Sequence, residues 1–438
     1  MGESRNLNRR EFLKKTAAAT GTMAVASSCA RVIPRTALGG GERAAASERI
    51  VMGSIGVGWQ GGDNMRGFLS NDDVQVVAVC DIDKEHLDDA KGMVDRHYGN
   101  RDCQTYHDFR ELIGRGDLDA VTIALPDHWH AIPAIAAAKA GLDIYGEKPL
   151  SHDLVEGRAM CDAVKRYGRV WQTGSWQRSV ANFHRACKLV RNGRIGRVHT
   201  VEVGLGEGHE DYEGTQGQET IGPPPASLDY DRWIGPAPWS PYCPARVHKN
   251  WRWVLDHGGG TILDWVGHHL DIAHWGLGLD YTGPVEIEGT ADFPKEGVWD
   301  APTEYRVTCK YANGVETIIA SNVAGGAKWY GDEGWVHVDR GVLDARPKDV
   351  LNEVIGPDEI RLYESRNHIR NFLDCVKSRE LTITPIEVAH RSASVGHLGM
   401  IAIQTGRKIK WDPEEEKIIG DPGASRLLGR AYREPWSL

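Results

Sequence analysis

The stretch from Arg49 to Asp81, RIVMGSIGVGWQGGDNMRGFLSNDDVQVVAVCD, limits the possible folds of this chain more than any other. Ile50 to Ile55 is an apolar run with a β-branched bias, and Gly56, Gly58 and Gly61 then give G-x-G-x-x-G where strand must become helix. In a dinucleotide-binding unit the first glycine permits the tight turn, the second lets a pyrophosphate approach the backbone, and the third lets helix pack closely on strand. The helix N-terminus then faces the phosphates. Val57, Trp59 and Gln60 belong to the same turn and are expected beside the cofactor. Asp81 ends the next apolar run, twenty residues after Gly61, where such a unit sets an acid on the adenosine ribose hydroxyls. An acid there repels a ribose phosphate, so NAD is expected over NADP. An isolated G-x-G-x-x-G says little because glycine is common; here strand, helix and acid all stand at the right places.

With 438 residues, 41% of them hydrophobic, the chain has material for two cored domains. No span approaches the ~18 unbroken apolar residues of a membrane helix. The net charge of −9 argues against nucleic acid and anionic membrane surfaces as partners. Positive charge gathers at the start, where residues 1–46 hold eight Arg/Lys against three Asp/Glu. Within it, Asn8-Arg9-Arg10-Glu11-Phe12-Leu13-Lys14 resembles the twin-arginine export signal, followed by the small apolar residues Thr16 to Ala26. The alternative is a disordered tail. Export implies a periplasmic or otherwise external location, with cleavage after Ala44-Ala45-Ala46 or a lipid anchor at Cys29. Eight scattered cysteines without C-x-x-C, one of them (Cys80) inside a core strand, read as free and mostly buried thiols.

After Asp81, helical patterns over 84–97 and 109–115 alternate with a strand over Ala120 to Ala124, the rhythm of a parallel α/β sheet. That strand runs into Leu125-Pro126-Asp127-His128-Trp129-His130; a helix over 132–140 and a strand over 142–145 lead to Gly146-Glu147-Lys148-Pro149-Leu150. Both polar clusters follow strand C-termini, the edge where open α/β sheets bind ligands. A buried lysine there has its pKa lowered or polarises a substrate hydroxyl. On the residues alone, a solvated Glu147–Lys148 pair in a short turn is the simpler reading.

Three motifs, GVGWQG with Asp81, the Pro126 to His130 stretch, and Glu147-Lys148-Pro149, together resemble the Gfo/Idh/MocA oxidoreductases over essentially everything after the leader. The resemblance implies a leader over 1–46, a Rossmann dinucleotide-binding domain over 47–172, and a C-terminal α/β domain over 173–438. The open, mainly antiparallel sheet of the second domain supports the substrate site and often a subunit interface, which implies a homo-oligomer, a dimer or tetramer. It further implies that Lys148 meets both nicotinamide and substrate, and that His130, Asp127, Pro126 and Glu147 belong to the cofactor pocket. For His128 a satisfied surface histidine remains the plain alternative.

Trp171 to Arg178 reads as the strand and turn that enter the second domain, with Gln177 facing cofactor and Arg178 facing substrate, or both making structural hydrogen bonds. A helix over 183–191 and a strand over 198–203 precede an irregular stretch, 204–249, that contains Pro223-Pro224-Pro225. A loop of that length in an enzyme is usually functional. Its His209, Asp211, Tyr212 and His248 are candidate substrate contacts, and their spacing matches no metal signature, so no metal is expected.

Trp251-Arg252-Trp253 and then Asp256 to Asp271 form a second chemical centre. A helix is predicted from Thr261, which sets Asp264 and His268 four apart on one face. A carboxylate one turn from an imidazole either orients it for proton removal or makes an ordinary salt bridge. The family's Asp-x-x-x-His pair after a glycine run matches Asp264 and His268, which implies the catalytic role. His269, about 100° around the helix, competes for it and joins Trp251 and Arg252 as a candidate substrate contact. Nine of fifteen tryptophans lie between Trp233 and Trp335. Trp251, Trp253 and Trp265 suit stacking on sugar rings, while core packing accounts for most of the others. Later strands over 305–323 and 334–338, helices over 368–377 and 390–404, and a final segment wrapping the surface complete the expectation.

Together these readings describe an exported, NAD-dependent oxidoreductase acting on a secondary hydroxyl of a sugar or glycoside. Lys148 holds and polarises the hydroxyl, His268 takes its proton and Asp264 positions His268. The alternative is an NAD-assisted glycoside hydrolase that oxidises the ring, eliminates the aglycone, adds water and reduces back; the known enzymes of that kind often lack the E-K-P triplet. A non-catalytic, cofactor-holding sugar sensor is the third class, which intact Lys148, Asp264 and His268 disfavour.

Overall fold

Short apolar runs separated by amphipathic helices wind into a first sheet of six parallel strands in the order β3-β2-β1-β4-β5-β6. They are β1 Ile50–Ile55, β2 Val74–Cys80, β3 Gln104–Tyr106, β4 Ala120–Ile123, β5 Asp143–Gly146 and β6 Trp171–Thr173. The computed structural model describes residues 45–438, so the twin-arginine segment, Cys29 and the leader as a whole lie outside the described residues. Ala46–Glu48 form one 3-10 turn, and residues 49–438 form the body treated below. Because β1 pairs with β2 on one side and β4 on the other, the connections leave this pair in opposite directions. The loops after β1 and β4 therefore part, and a crevice opens between them. Helix Lys84–Tyr98 shows how local chemistry fixes an element: Asp83 accepts from the Glu85 N–H at its start, and Gly99 at φ 68 ends it.

A second, nine-stranded sheet has the order β13-β12-β11-β7-β10-β9-β8-β14-β15. Its strands are β7 Val198–Gly204, β8 Glu286–Asp292, β9 Glu304–Lys310, β10 Glu316–Ala320, β11 Gly326–Gly331, β12 Gly334–Asp339, β13 Val342–Arg346, β14 Ile409–Asp412 and β15 Lys417–Ile418. Only β7 and β10 run parallel; every other pairing is antiparallel. Alternation places Val201, Val203, Val307, Trp329 and Val336 on the inner face, where they pack with Phe183, Ile272 and Leu398 of the covering helices.

The late helices tie the two sheets together. Ile386–Thr405 buries Ile386, Ala389 and Ala393 in the core of the first sheet and Val395, Leu398 and Ile401 in that of the second. His368–Ser378 places Phe372 edge-on against Phe68 and Tyr145, with ring centroids 5.9 and 5.8 Å apart, while Arg370 pairs with Asp73 at 2.8 Å. The final segment does more than wrap the surface. β14 and β15 extend the second sheet, and Arg430 then reaches the Glu156 carboxylate at 2.7 Å and the His128 carbonyl at 2.8 Å.

The helix expected from Thr261 is interrupted. Gly260–Trp265 and Asp271–Leu277 are α-helical, but Val266–Leu270 form a wider π turn. The cause is local: the Gly267 carbonyl is taken from outside by the Ser175 hydroxyl at 2.6 Å, and Gly267 lies against the side chain of Lys148. The seven cysteines of the described residues are free and buried. No helix among the described residues is long and apolar enough to cross a membrane.

His128 is buried rather than at the surface, its ring held between the carbonyls of His257 and Trp233. Burial, aided by the Arg430 charge, pushes its imidazole down to about 3, and burial does the same to His397. His274 and His368 are pushed down to about 4 by burial. The unfolded chain binds these protons near 6.5. Stability is therefore unaffected above that pH and falls as pH drops below it, because unfolding then takes up protons. Each such histidine is expected to cost about 2 kcal/mol by pH 5. Melting followed by circular dichroism should show a midpoint that declines steadily from pH 7 to 5; a flat midpoint would mean that these rings are not held neutral.

Candidate active site

The crevice between the β1 and β4 loops continues into a cavity of about 1010 Å³ that runs on between the two sheets. At one end, Gly56 has φ +75, and a side chain there would strike the Ala124 carbonyl. A side chain on Gly61 would strike the Gly56 carbonyl, so the turn closes only with glycine at both positions. Asp81 accepts from the Val57 N–H and the Asp83 N–H, each at 2.9 Å. Val57 thus serves by fixing Asp81 through its backbone, with its side chain in the core. Burial pushes the Asp81 carboxyl up, against the pull of these two N–H groups. Gln60 donates to Asn64 at 3.0 Å, and Asn64 donates to Glu147 at 2.8 Å, which links the glycine turn to the loop after β5. Asp83 and His86, three residues apart, and the distant His248 bring ligand-type atoms within 4.8 Å of one another at this end. One Asp83 oxygen is already committed to capping its helix.

At the other end, Lys148 Nζ donates to the Asp264 carboxylate at 2.8 Å and to its backbone carbonyl at 3.0 Å, and Arg252 Nε reaches the same carboxylate at 3.2 Å. Burial alone would raise the Asp264 carboxyl, but the charges of Lys148 and Arg252 outweigh it and hold the group well below the usual carboxylate range. Burial pushes Glu147 up. His268 is buried, and its Nδ1 has no hydrogen-bond partner. Burial, then the charges of Lys148 and Arg340, drive its imidazole well below the ordinary histidine range, so the ring is neutral near pH 7. Glu147, Lys148, Asp264 and His268 all line the cavity, as do Tyr212, His248, Trp251 and Arg252.

Several expectations are corrected. Asp264 does not orient His268: its carboxylate is occupied by Lys148 and Arg252, and among the described residues no ion pair joins it to His268, because the π turn breaks the simple four-residue register. His130 stands behind the cavity wall, its ring nitrogens on the carbonyls of Pro149 and Leu125 at 2.8 Å each, so it shapes both loops without lining the pocket. Asp127 is likewise buried behind the wall that Pro126 lines, and burial drives its carboxyl well above the normal range. Gln177, with its amide oriented to suit its neighbours, donates to the His268 carbonyl at 3.0 Å and accepts from Arg340 Nε at 3.2 Å, so it supports the site without facing cofactor. Arg178, 3% exposed, is spent on Asp271 at 2.6 Å and Asp280 at 2.6 Å. His209 stacks on Trp253 and bonds the Ala301 carbonyl, and Asp211 caps its own loop and Asn250. His269 faces the second sheet, its Nδ1 lying 2.7 Å from the Gly204 carbonyl and 3.1 Å from the Gly326 N–H, and it does not line the cavity where a base would act.

Three cavity residues carried no sequence signal. Trp176 lies beside the residues expected to act, on a 3-10 turn that sends Gln177 and Arg178 inward and leaves Trp176 in the cavity. Arg340, in the turn between β12 and β13, sits against Trp176 and Trp265 with 4.8 and 4.7 Å to the ring centroids. Trp436, from the final segment, closes the opposite end against Trp129 at 4.7 Å. The irregular stretch forms one wall of the cavity, with helix Tyr230–Ile234 inside it; it is anchored by Lys84 N–H to the Ser227 carbonyl and Asp229 N–H to the Ile82 carbonyl.

A crevice at the switch point of a parallel sheet, a glycine turn that admits no side chain and an acid closing β2 suit a dinucleotide, with Gly56 to Gly61 at its phosphates and Asp81 at its ribose. Fold and cavity thus define a dinucleotide-binding protein with a second domain facing the nicotinamide end. Comparison with known proteins gives the family: residues 50–175 match the oxidoreductase family's NAD-binding Rossmann fold, and residues 180–438 match its C-terminal alpha/beta domain. The chain belongs to the Gfo/Idh/MocA oxidoreductases, and its cofactor is NAD. It is 26% identical over 227 residues to myo-inositol 2-dehydrogenase of Thermotoga maritima, covering 52% of this chain and 54% of that one. It is 30% identical over 170 residues to a glycosyl hydrolase family 109 protein of Shewanella pealeana, covering 36% of this chain and 37% of that one. The matches thus span well under two thirds of either relative. In structure it resembles aldose-aldose oxidoreductase from Caulobacter crescentus, with TM-score 0.61, 19% identity, and 83% and 99% of the two chains covered.

Asp81→Ala is expected to weaken NAD binding much more than NADP binding, because the carboxylate accepts from the ribose hydroxyls of NAD and repels the ribose phosphate of NADP. Titration of both nucleotides checks this; equal losses would place Asp81 away from the ribose. Arg178→Ala should cost about 3–5 kcal/mol in stability by leaving Asp271 and Asp280 uncompensated, with cofactor affinity unchanged in the protein that remains folded. Chemical denaturation and NAD titration separate the two effects.

Proposed function

We propose that this protein is an NAD-dependent oxidoreductase that oxidises or reduces a secondary hydroxyl of a sugar or glycoside, exported by the twin-arginine route and working with tightly held cofactor. The observation that carries the reading is a held ammonium and a neutral imidazole at the end of the cavity away from Asp81: Lys148 Nζ fixed on Asp264, and His268 kept uncharged. NAD, when bound, supplies the acceptor for the hydride that leaves the carbinol carbon. Lys148 Nζ has one N–H left for the substrate oxygen and stabilises negative charge that develops there. The His268 ring takes the hydroxyl proton, and its low proton affinity keeps it ready to accept from neutral pH downward. Asp264 acts on Lys148, and Gln177 holds the His268 backbone. Domain boundaries at 46 and 172 and a homo-oligomeric state, dimer or tetramer, belong to the same reading.

His268→Ala and Lys148→Ala are each expected to lower turnover by roughly 10²–10⁴, while NAD stays bound through the glycine turn and Asp81. Near-normal turnover in His268→Ala would remove His268 as the base. The acid limb of the wild-type rate should lie well below pH 6.5, since the folded site holds the imidazole neutral there.

The second reading, an NAD-assisted glycoside hydrolase, is favoured by the 30% identity to the family 109 glycosyl hydrolase. Oxidation, loss of the aglycone, addition of water and reduction would then follow on one ring. Export motivates a test that divides the readings: outside the cytoplasm a dissociating cofactor is not replaced, so retention follows from Arg9-Arg10. Protein from the exported fraction is expected to carry near-stoichiometric nicotinamide nucleotide. With a glycoside panel and no added NAD, repeated aglycone release identifies the hydrolase, and turnover only with a keto-sugar acceptor identifies the oxidoreductase. Nucleotide-free protein that needs continuous NAD would end the closed cycle.

A further inference from the structure

Five Lys or Arg side chains line the cavity among the described residues, and four of them already have a carboxylate. Lys148 and Arg252 share Asp264, Lys249 lies 3.0 Å from Glu213, and Arg232 lies 3.5 Å from Asp229. Arg340 has none within 4 Å among the described residues. Its neighbour Asp339 is turned away, one oxygen accepting from the Arg340 backbone N–H at 2.7 Å and facing His269 Nε2 at 3.5 Å. The guanidinium is nevertheless held in place, between Trp176 and Trp265 and with Nε on the Gln177 oxygen. Nη1 and Nη2 have no protein hydrogen bond among the described residues. Both tryptophans also flank His268, with ring centroids 6.2 and 5.6 Å from the imidazole.

We propose that Arg340 is a specificity residue for a carboxylate on the substrate, so that the preferred substrates are acidic sugars or their glycosides. A planar fork of two free N–H donors, fixed by stacking, matches a carboxylate in two-point contact, and a neutral hydroxymethyl offers it no charge. Trp176, 37% exposed, and Trp265 give the same ring an apolar face beside the base. The proposal deepens the reading above and rests on it for placing the reacting carbon at Lys148 and His268.

The test uses the NAD-loaded enzyme and matched methyl glycosides: glucuronide with glucoside, galacturonide with galactoside, mannuronide with mannoside. Calorimetry measures binding, and the absorbance of reduced nicotinamide is read separately. In at least one pair the acid should bind roughly 10- to 100-fold more tightly than its neutral twin, the range for a charge-assisted two-point contact. Added salt should narrow the gap. Arg340→Gln should abolish the preference by weakening the acid far more than its neutral twin, and Arg340→Lys should keep part of it. Arg340 sits in an exposed turn, so an unchanged melting midpoint can confirm that both variants fold. No acid preference in any pair, or a preference that survives Arg340→Gln, overturns the proposal. Acid preference with no reduction of bound NAD would leave carboxylate recognition standing and sink the redox reading; reduction without acid preference would do the reverse.

Discussion

The bond from Lys148 to Asp264 joins the loop after β5 to the helix that begins at Gly260, across the cavity, and the chemistry of the site depends on it. Removing two charges from water is expensive, and attraction compensates only where geometry is good and spare hydrogen-bonding capacity is used. Both conditions hold: Lys148 also donates to the Asp264 carbonyl, and Arg252 supplies a second cation to the same carboxylate. One ion pair thereby settles the protonation of its neighbours. It keeps Asp264 ionised, and the charge on Lys148 is one reason His268 stays neutral. An ammonium and an unprotonated imidazole side by side are an acid and a base prepared in advance, with little reorganisation left for the moment of reaction.

The cofactor end was legible because its demands fall on a short stretch of backbone. Gly56, Gly61 and Asp81 are forced by the sterics of one turn and the end of one strand, and such constraints appear in sequence as spacing. Lys148 and His268 were readable only through family resemblance, since a Glu–Lys pair in a turn and a histidine on a helix have ordinary uses. What failed was side-chain direction where the backbone leaves regular geometry. The 3-10 turn at Trp176–Ser179 sends Gln177 and Arg178 inward, and the π turn at Val266–Leu270 separates Asp264 from His268. Neither turn has a composition that announces it. Arg340 and Trp436 escaped for a different reason: they arrive from a hairpin and a final segment whose placement depends on the complete fold.

The two sheets look like successive domains when the family boundaries are drawn on the chain, but the packing of helix His368–Ser378 cuts across that order. Phe372 and Leu373 share a core with Ile50, Met52 and Phe68, and Arg370 closes on Asp73. The first sheet therefore lacks part of its cover until a segment some three hundred residues downstream has been made. Contacts of that sequence separation carry a large loop-closure cost and slow the search for the native state. Synthesis from the N-terminus cannot finish the cofactor-binding half first and add the other half to a completed unit. During that interval the apolar face around Met52 and Phe68 is open to solvent, so the nascent chain is a natural client for chaperones until the helix arrives.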